Sequence, residues 1–270
     1  MRRVRGTAVV LASALLLMGC AQSVDPIERL GKKAAQRVRP RRPAHDRGYR
    51  RWGLAEPLAR SPLHPARPLA AHRGAHGLPP VVDRVPTRDR VVFLTYDDGA
   101  ERDPRFVDMV RELRLPVTLF LTAGVAGPGR DHFTRLRTLG AGIQNRITGH
   151  RAPAGLPYAV QRAAICGQRD GLRSRFGVRP RLLRPPHSSY DPTTLRAAAD
   201  CGITAIVLWR AALTPAGLTY LHGPHHLRPG DIVLVAPGEP SGPPLRERTV
   251  RVLRRTQEQG LTVGRLEDYL

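Results

Sequence analysis

The sequence predicts an α/β fold, a parallel sheet with crossover helices that forms a small (β/α) barrel. Two observations lead there. From Arg90 to the end, short apolar and β-branched runs alternate with longer amphipathic stretches, the signature of repeated βαβ units. Polar residues then cluster just after several of the apolar runs, at the carboxyl ends of strands, where such folds place their chemistry.

The elements follow in order. Val91-Val92-Phe93-Leu94-Thr95-Tyr96 reads as a buried strand closing on Asp97-Asp98-Gly99, because it is an unbroken β-branched and aromatic run. A helix is expected near 104–113, a strand at 117–121, a helix near 131–139 and a strand around 142–145. Beyond these the pattern predicts a long helix over 158–176, a strand at 181–184 and a helix over 192–200. A strand at 203–208, one at 232–235, a helix over 245–259 and a strand at 261–263 complete the series.

With 270 residues and 41% hydrophobic content, the chain can bury one sizeable core, and two packed domains would be a tight fit. The net charge of +22 rests on arginine, since Lys32 and Lys33 are the only lysines. A surface this basic attracts polyanions, among them anionic lipids and wall polymers.

The N-terminus narrows the choice. Arg2, Arg3 and Arg5 precede an apolar run over 8–18 that ends in Leu17-Met18-Gly19-Cys20. This reads as a bacterial export signal over 1–19, too short to remain as a spanning helix. The ending resembles the lipobox of lipoproteins, which would make Cys20 the lipidated mature N-terminus; an ordinary signal peptide with a chance cysteine is the alternative. Either reading puts the domain outside the cell, removes nucleic acid as a partner and permits a disulfide. After Cys20 only Cys166 and Cys201 remain, expected close together and either bridged or free. Residues 20–87 are rich in Arg and Pro without an apolar period and read as a mostly disordered basic tether, leaving 88–270 as the folded domain.

Four separated segments then converge on one rim: Asp97 and Asp98, residues 145–150, Arg184 and Trp209. Adjacent carboxylates at a strand end suit a division of labour, one binding a divalent metal and the other serving as general base. Thr95-Tyr96-Asp97-Asp98-Gly99 resembles the first motif of the NodB-homology polysaccharide deacetylases. Arg184-Pro185-Pro186-His187-Ser188-Ser189-Tyr190-Asp191 resembles their Arg-x-Pro-Tyr segment, and Gly230-Asp231-Ile232-Val233-Leu234 the strand leading to their last motif. The resemblance runs in order from about Asp89 to Leu270 and implies that family's deformed barrel.

By position the resemblance implies Asp97 as general base, Asp98 and His150 as metal ligands, Arg184 as the cation orienting Asp97, and Trp209 and Leu234 as the acetyl pocket. It implies zinc or another divalent metal as cofactor, and an amino-sugar polysaccharide or peptidoglycan as substrate. Four positions depart from the pattern, the first being His187, where the tyrosine of the third motif is expected. Arg146 stands in the register of the first metal-binding histidine, Ala236 where the general-acid histidine is expected, and Arg210 where that histidine's acidic partner is expected. A guanidinium has no lone pair to offer a metal, and a methyl group cannot protonate a leaving amine.

His187 could supply a replacement ligand. Two functions are therefore open: a degenerate deacetylase that keeps its groove as a glycan-binding or scaffold module, and a working hydrolase built on Asp98, His150 and His187. A third, a basic polymer-binding lipoprotein with a merely structural barrel, would follow if binding tracked the tether alone. Arg146 is expected to turn inward and set its guanidinium beside Asp98.

Overall fold

The central strand is β2, Val91–Tyr96, whose six residues are all buried. Burial on both faces is what a parallel strand covered by helices on one side and by its own curled sheet on the other requires. The structure is a computed structural model and describes residues 48–62, 77–147, 153–238 and 241–270. The chain divides after Pro43, and the unit from Ala44 to Leu270 is the one described.

Ten strands form one sheet: β1 Val81–Val82, β2, β3 Thr118–Leu121, β4 Gly142–Arg146, β5 Leu182–Arg184, β6 Ala205–Val207, β7 Ala211–Thr214, β8 Gly217–Tyr220, β9 Ile232–Val235 and β10 Thr262–Val263. Their order is β1-β6-β5-β4-β3-β2-β9-β7-β8, with β10 pairing β2. Every pairing is parallel except the β7–β8 hairpin. The sheet curls far enough that Arg84, just after β1, forms an antiparallel bridge with Asp231, just before β9. The result is the deformed (β/α) barrel.

The helices are α1 Gly48–Arg51, α2 Phe106–Leu113, α3 Ala123–Ala126, α4 Arg130–Thr138, α5 Tyr158–Phe176, α6 Pro192–Asp200 and α7 Leu245–Glu258. Asp191 starts α6 with a reciprocal cap, accepting from the Thr194 amide while the Thr194 side chain accepts from Asp191 N–H, which satisfies donors that a helix start leaves unpaired. Gly155 N–H and the Thr194 amide hold the Asp191 carboxyl at about 2. A Cys166–Cys201 disulfide ties α5 to the residue that follows α6, with Cα atoms 5.2 Å apart.

The expected strands and helices all occur, with ends that match or shift by one or two residues, and three features differ. The sheet is mixed, because the β7–β8 hairpin was not anticipated: Ala211–Thr214 carries no strong β signal, and pairing with β9 is what orders it. The four-residue α3 was also missed. Ordered structure begins well before residue 88. Trp52 and Leu54 are buried against the core after α1, and Trp52 donates to Glu112 at 2.9 Å. Val81 and Val82 pair with Ile206 and Val207. Single apolar residues spaced along an Arg/Pro-rich stretch leave no period to detect, yet each finds a place in the core once the barrel exists.

Candidate active site

Each side chain at the rim is delivered by a strand end. β2 stops at Tyr96, so Asp97 and Asp98 follow directly; Gly99 turns the chain away with φ 109°, and a Cβ there would meet Pro237 at 3.1 Å. Arg146 is the last residue of β4 and Arg184 the last of β5, paired with one another in register. β6 leads to Leu208 and Trp209, and β9 to Ala236. The barrel therefore brings Asp97, Asp98, Arg146 and Arg184 together.

Arg184 is wholly buried. It donates from Nη1 to Asp97 Oδ1 at 3.0 Å, from Nη2 to Thr95 Oγ1 at 2.9 Å and to Leu208 O at 3.3 Å, and from Nε to Val207 O at 3.2 Å. Its guanidinium lies 4.1 Å from the Phe120 ring centroid and 5.3 Å from that of Trp209. Burial lowers its pKa and Asp97 raises it again. This network of hydrogen bonds and ring contacts is what lets a cation sit in the core.

Arg146 points inward. It donates from Nη1 to Asp97 Oδ2, and its Nε lies 3.7 Å from Asp98 Oδ2. The guanidinium therefore lies beside Asp98, as expected, and its hydrogen bond goes to Asp97. β4 stands two strands from β2, and its terminal side chain reaches across to both carboxylates. Asp98 instead accepts the Thr122 amide at 2.9 Å. Burial pushes the Asp98 carboxyl up, while the Thr122 amide and Arg146 pull it down.

Arg210 is wholly buried and lies away from the carboxylate pair. It grips Asp231 with Nε to Oδ1 at 2.6 Å and Nη2 to Oδ2, and donates to the carbonyls of His222, Pro224 and His226. Its role in this chain is to hold the loop between β8 and β9. Ala236 presents a methyl group beyond β9, its carbonyl taken by Arg248. Leu234 is buried between Thr95 and Ala212, and Trp209 is half-buried.

Among the described residues the donors do not make up a divalent-metal site. Asp98 has one oxygen on an amide and the other facing a guanidinium. His187 is exposed, with φ 53°, and no hydrogen bond or ion pair joins it to Asp98. Among the described residues no group of three or more His, Cys, Asp or Glu could hold a metal ion. His150 and Cys20 lie outside the described residues.

Sequence reasoning passed over four contributors: Thr95 and Phe120 against Arg184, Thr122 on Asp98, and Asp231 beneath Arg210. Thr95 and Asp231 sat in quoted motifs, but nothing there names their partners. For Phe120 and Thr122 no local signal exists, because their partners are brought to them from other strand ends.

A family model for polysaccharide deacetylases matches residues 84–206. An uncharacterised protein of Streptomyces coelicolor is 63% identical over 201 residues, 74% of this chain and 80% of that protein. Among solved structures, a mutant of BA3943, a CE4 family pseudoenzyme from Bacillus anthracis, with restored enzymatic activity, is 18% identical with a TM-score of 0.59, covering 71% of each chain. The Bc1960 peptidoglycan N-acetylglucosamine deacetylase is 18% identical with a TM-score of 0.57, over 69% of this chain and 91% of that one.

Proposed function

The chain belongs to the polysaccharide deacetylase family, and from that premise we propose that its strand-end groove meets an amino-sugar polymer of the cell envelope, such as peptidoglycan, with impaired or absent deacetylation. The observation that carries the reading is Arg146 seated on Asp97 and facing Asp98. Hydrolysis of an N-acetyl group needs an activated water, a polarised carbonyl and a proton for the departing amine. By its position in the motif Asp97 is the residue we assign as base, and both its oxygens already accept from guanidinium groups. The proton donor is missing at Ala236, and Arg210 is committed to Asp231. Loss of general acid catalysis alone removes about 10²- to 10⁴-fold in rate. What remains is a glycan-binding or scaffold module.

We place the domain on the outer face of the membrane, anchored through Cys20. The Leu17-Met18-Gly19-Cys20 ending supports this, as does a disulfide, a bond that persists in oxidising compartments. Replacing Cys20 with Ser should release the protein from membranes; unchanged partitioning would refute the anchor.

The test of inactivity pairs zinc content with acetate release from N-acetylglucosamine oligomers and peptidoglycan. The wild-type chain should hold no stoichiometric zinc and release no acetate, and the double reversion Arg146→His with Ala236→His should gain zinc. Tightly bound zinc in the wild type that is lost in His187→Ala would establish the working hydrolase instead.

A further inference from the structure

A second, unrelated cleft lies on the flank of the barrel. Residues 51–53, the start of α2 and the outer face of α7 enclose about 480 Å³, and five arginines line it: Arg51, Arg105, Arg246, Arg251 and Arg254. Three carboxylates answer them. Arg51 pairs with Glu112 at 2.6 Å. Arg246 pairs with Asp103 at 2.8 Å and lies 4.0 Å from Glu247. The guanidinium groups of Arg105, Arg251 and Arg254 make no ion pair among the described residues, so the cleft keeps an excess of positive charge.

Arg246 and Arg254 are held in place. Asp103 takes both the Arg246 backbone amide and its Nη1, each at 2.8 Å. Arg254 donates Nε to Gly53 O at 2.9 Å. Gly53 has φ 70°, and a Cβ there would come within 2.6 Å of Arg254 Nη2, so the glycine makes the room the guanidinium occupies. With Nε engaged on the backbone, both terminal nitrogens of Arg254 are left to a ligand. Like charges gathered in one cleft repel, and an anion removes that repulsion. Fixed guanidinium forks suit tetrahedral phosphate oxygens.

We infer that this cleft binds phosphodiester groups of a linear polyanion, independently of the strand-end site. A soluble polymer fits better than a membrane surface. The exposed large apolar residues Leu139, Tyr158, Val160, Tyr190 and Leu221 are not among those lining the cleft, and its own apolar members, Trp52 and Val250, are buried beneath it.

Poly(glycerol phosphate) is the probe, titrated into the full chain at about 0.15 M salt, where loose surface attraction is screened. Trp52, whose ring lies 5.5 Å from the Arg51 guanidinium, reports locally in a Trp209→Phe background. Its emission should change saturably. Arg105→Gln with Arg251→Gln, both exposed and outside the core, should weaken binding about tenfold or more while leaving the melting temperature in place. Arg135→Gln with Arg137→Gln on α4, the same change in charge, should shift it less than about twofold. Equal loss in the two double variants would reduce the effect to net charge and overturn the site, as would a flat Trp52 response. Binding to phosphatidylglycerol vesicles that the polymer cannot displace would overturn the choice of ligand.

Discussion

Arg146 and Arg184 hold opposite oxygens of a single carboxylate, that of Asp97. Arg184 reaches Oδ1 from within the core and Arg146 reaches Oδ2 from the rim. The two contacts differ in cost of removal because the side chain of Arg184 is fully buried and that of Arg146 is 23% exposed.

Arg184→Ala should therefore destabilise the domain by about 3–5 kcal/mol, since it leaves Asp97 buried without its inner partner. Arg146→Gln should cost about 1 kcal/mol or less, the outer contact being partly screened. Urea melts of the two variants decide it; equal losses would mean that the rim contact is as buried in effect as the inner one.

The pair Arg210 and Asp231 is wholly buried on both sides. Asp231→Ala should cost about 3–5 kcal/mol by stranding a guanidinium, and Arg210→Met with Asp231→Leu should recover a large part of that loss. A double variant no more stable than the single would show that the loop carbonyls held by Arg210, not the charge pair, carry the stability.

The Cys166–Cys201 bond spans 35 residues of sequence. Cys166→Ser with Cys201→Ser should lower stability by about 2–4 kcal/mol, read as a fall in melting temperature. A wild-type protein whose melting is indifferent to reductant would contradict a bridge that constrains the unfolded chain.

Glu267 sits at the amino end of the barrel, accepting from Thr118 and Gln144 at 3.1 Å, over Gly142, where a Cβ would lie 1.6 Å from its carboxylate. Burial raises its pKa. A carboxyl raised in the folded state contributes most when protonated, and that contribution is lost as pH rises through its folded pKa. Glu267→Gln, which is always neutral, should match wild type near pH 4.5 and melt higher than it at pH 7. An unchanged difference between the two pH values would show that the carboxylate is not desolvated in the fold. Gly142→Ala, by contrast, should destabilise at every pH by displacing Glu267 from its partners.

What the sequence determined by itself was everything with a local period or an ordered motif. Val91–Tyr96, Tyr158–Phe176, Pro192–Asp200 and Ile232–Val235 were legible to the residue, because strand and helix periods and caps depend on neighbours a few residues away. The family was legible too, from three motifs in order. Arg146 was legible as a residue unable to ligate a metal, since a guanidinium lacks a lone pair wherever it points. Tertiary structure alone decided which carboxylate Arg146 binds, that Arg210 is buried on Asp231, and that Trp52 and Val82 join the core. Each of those pairs is separated by between 21 and 125 residues, and only strand order and register bring them within hydrogen-bond or packing distance.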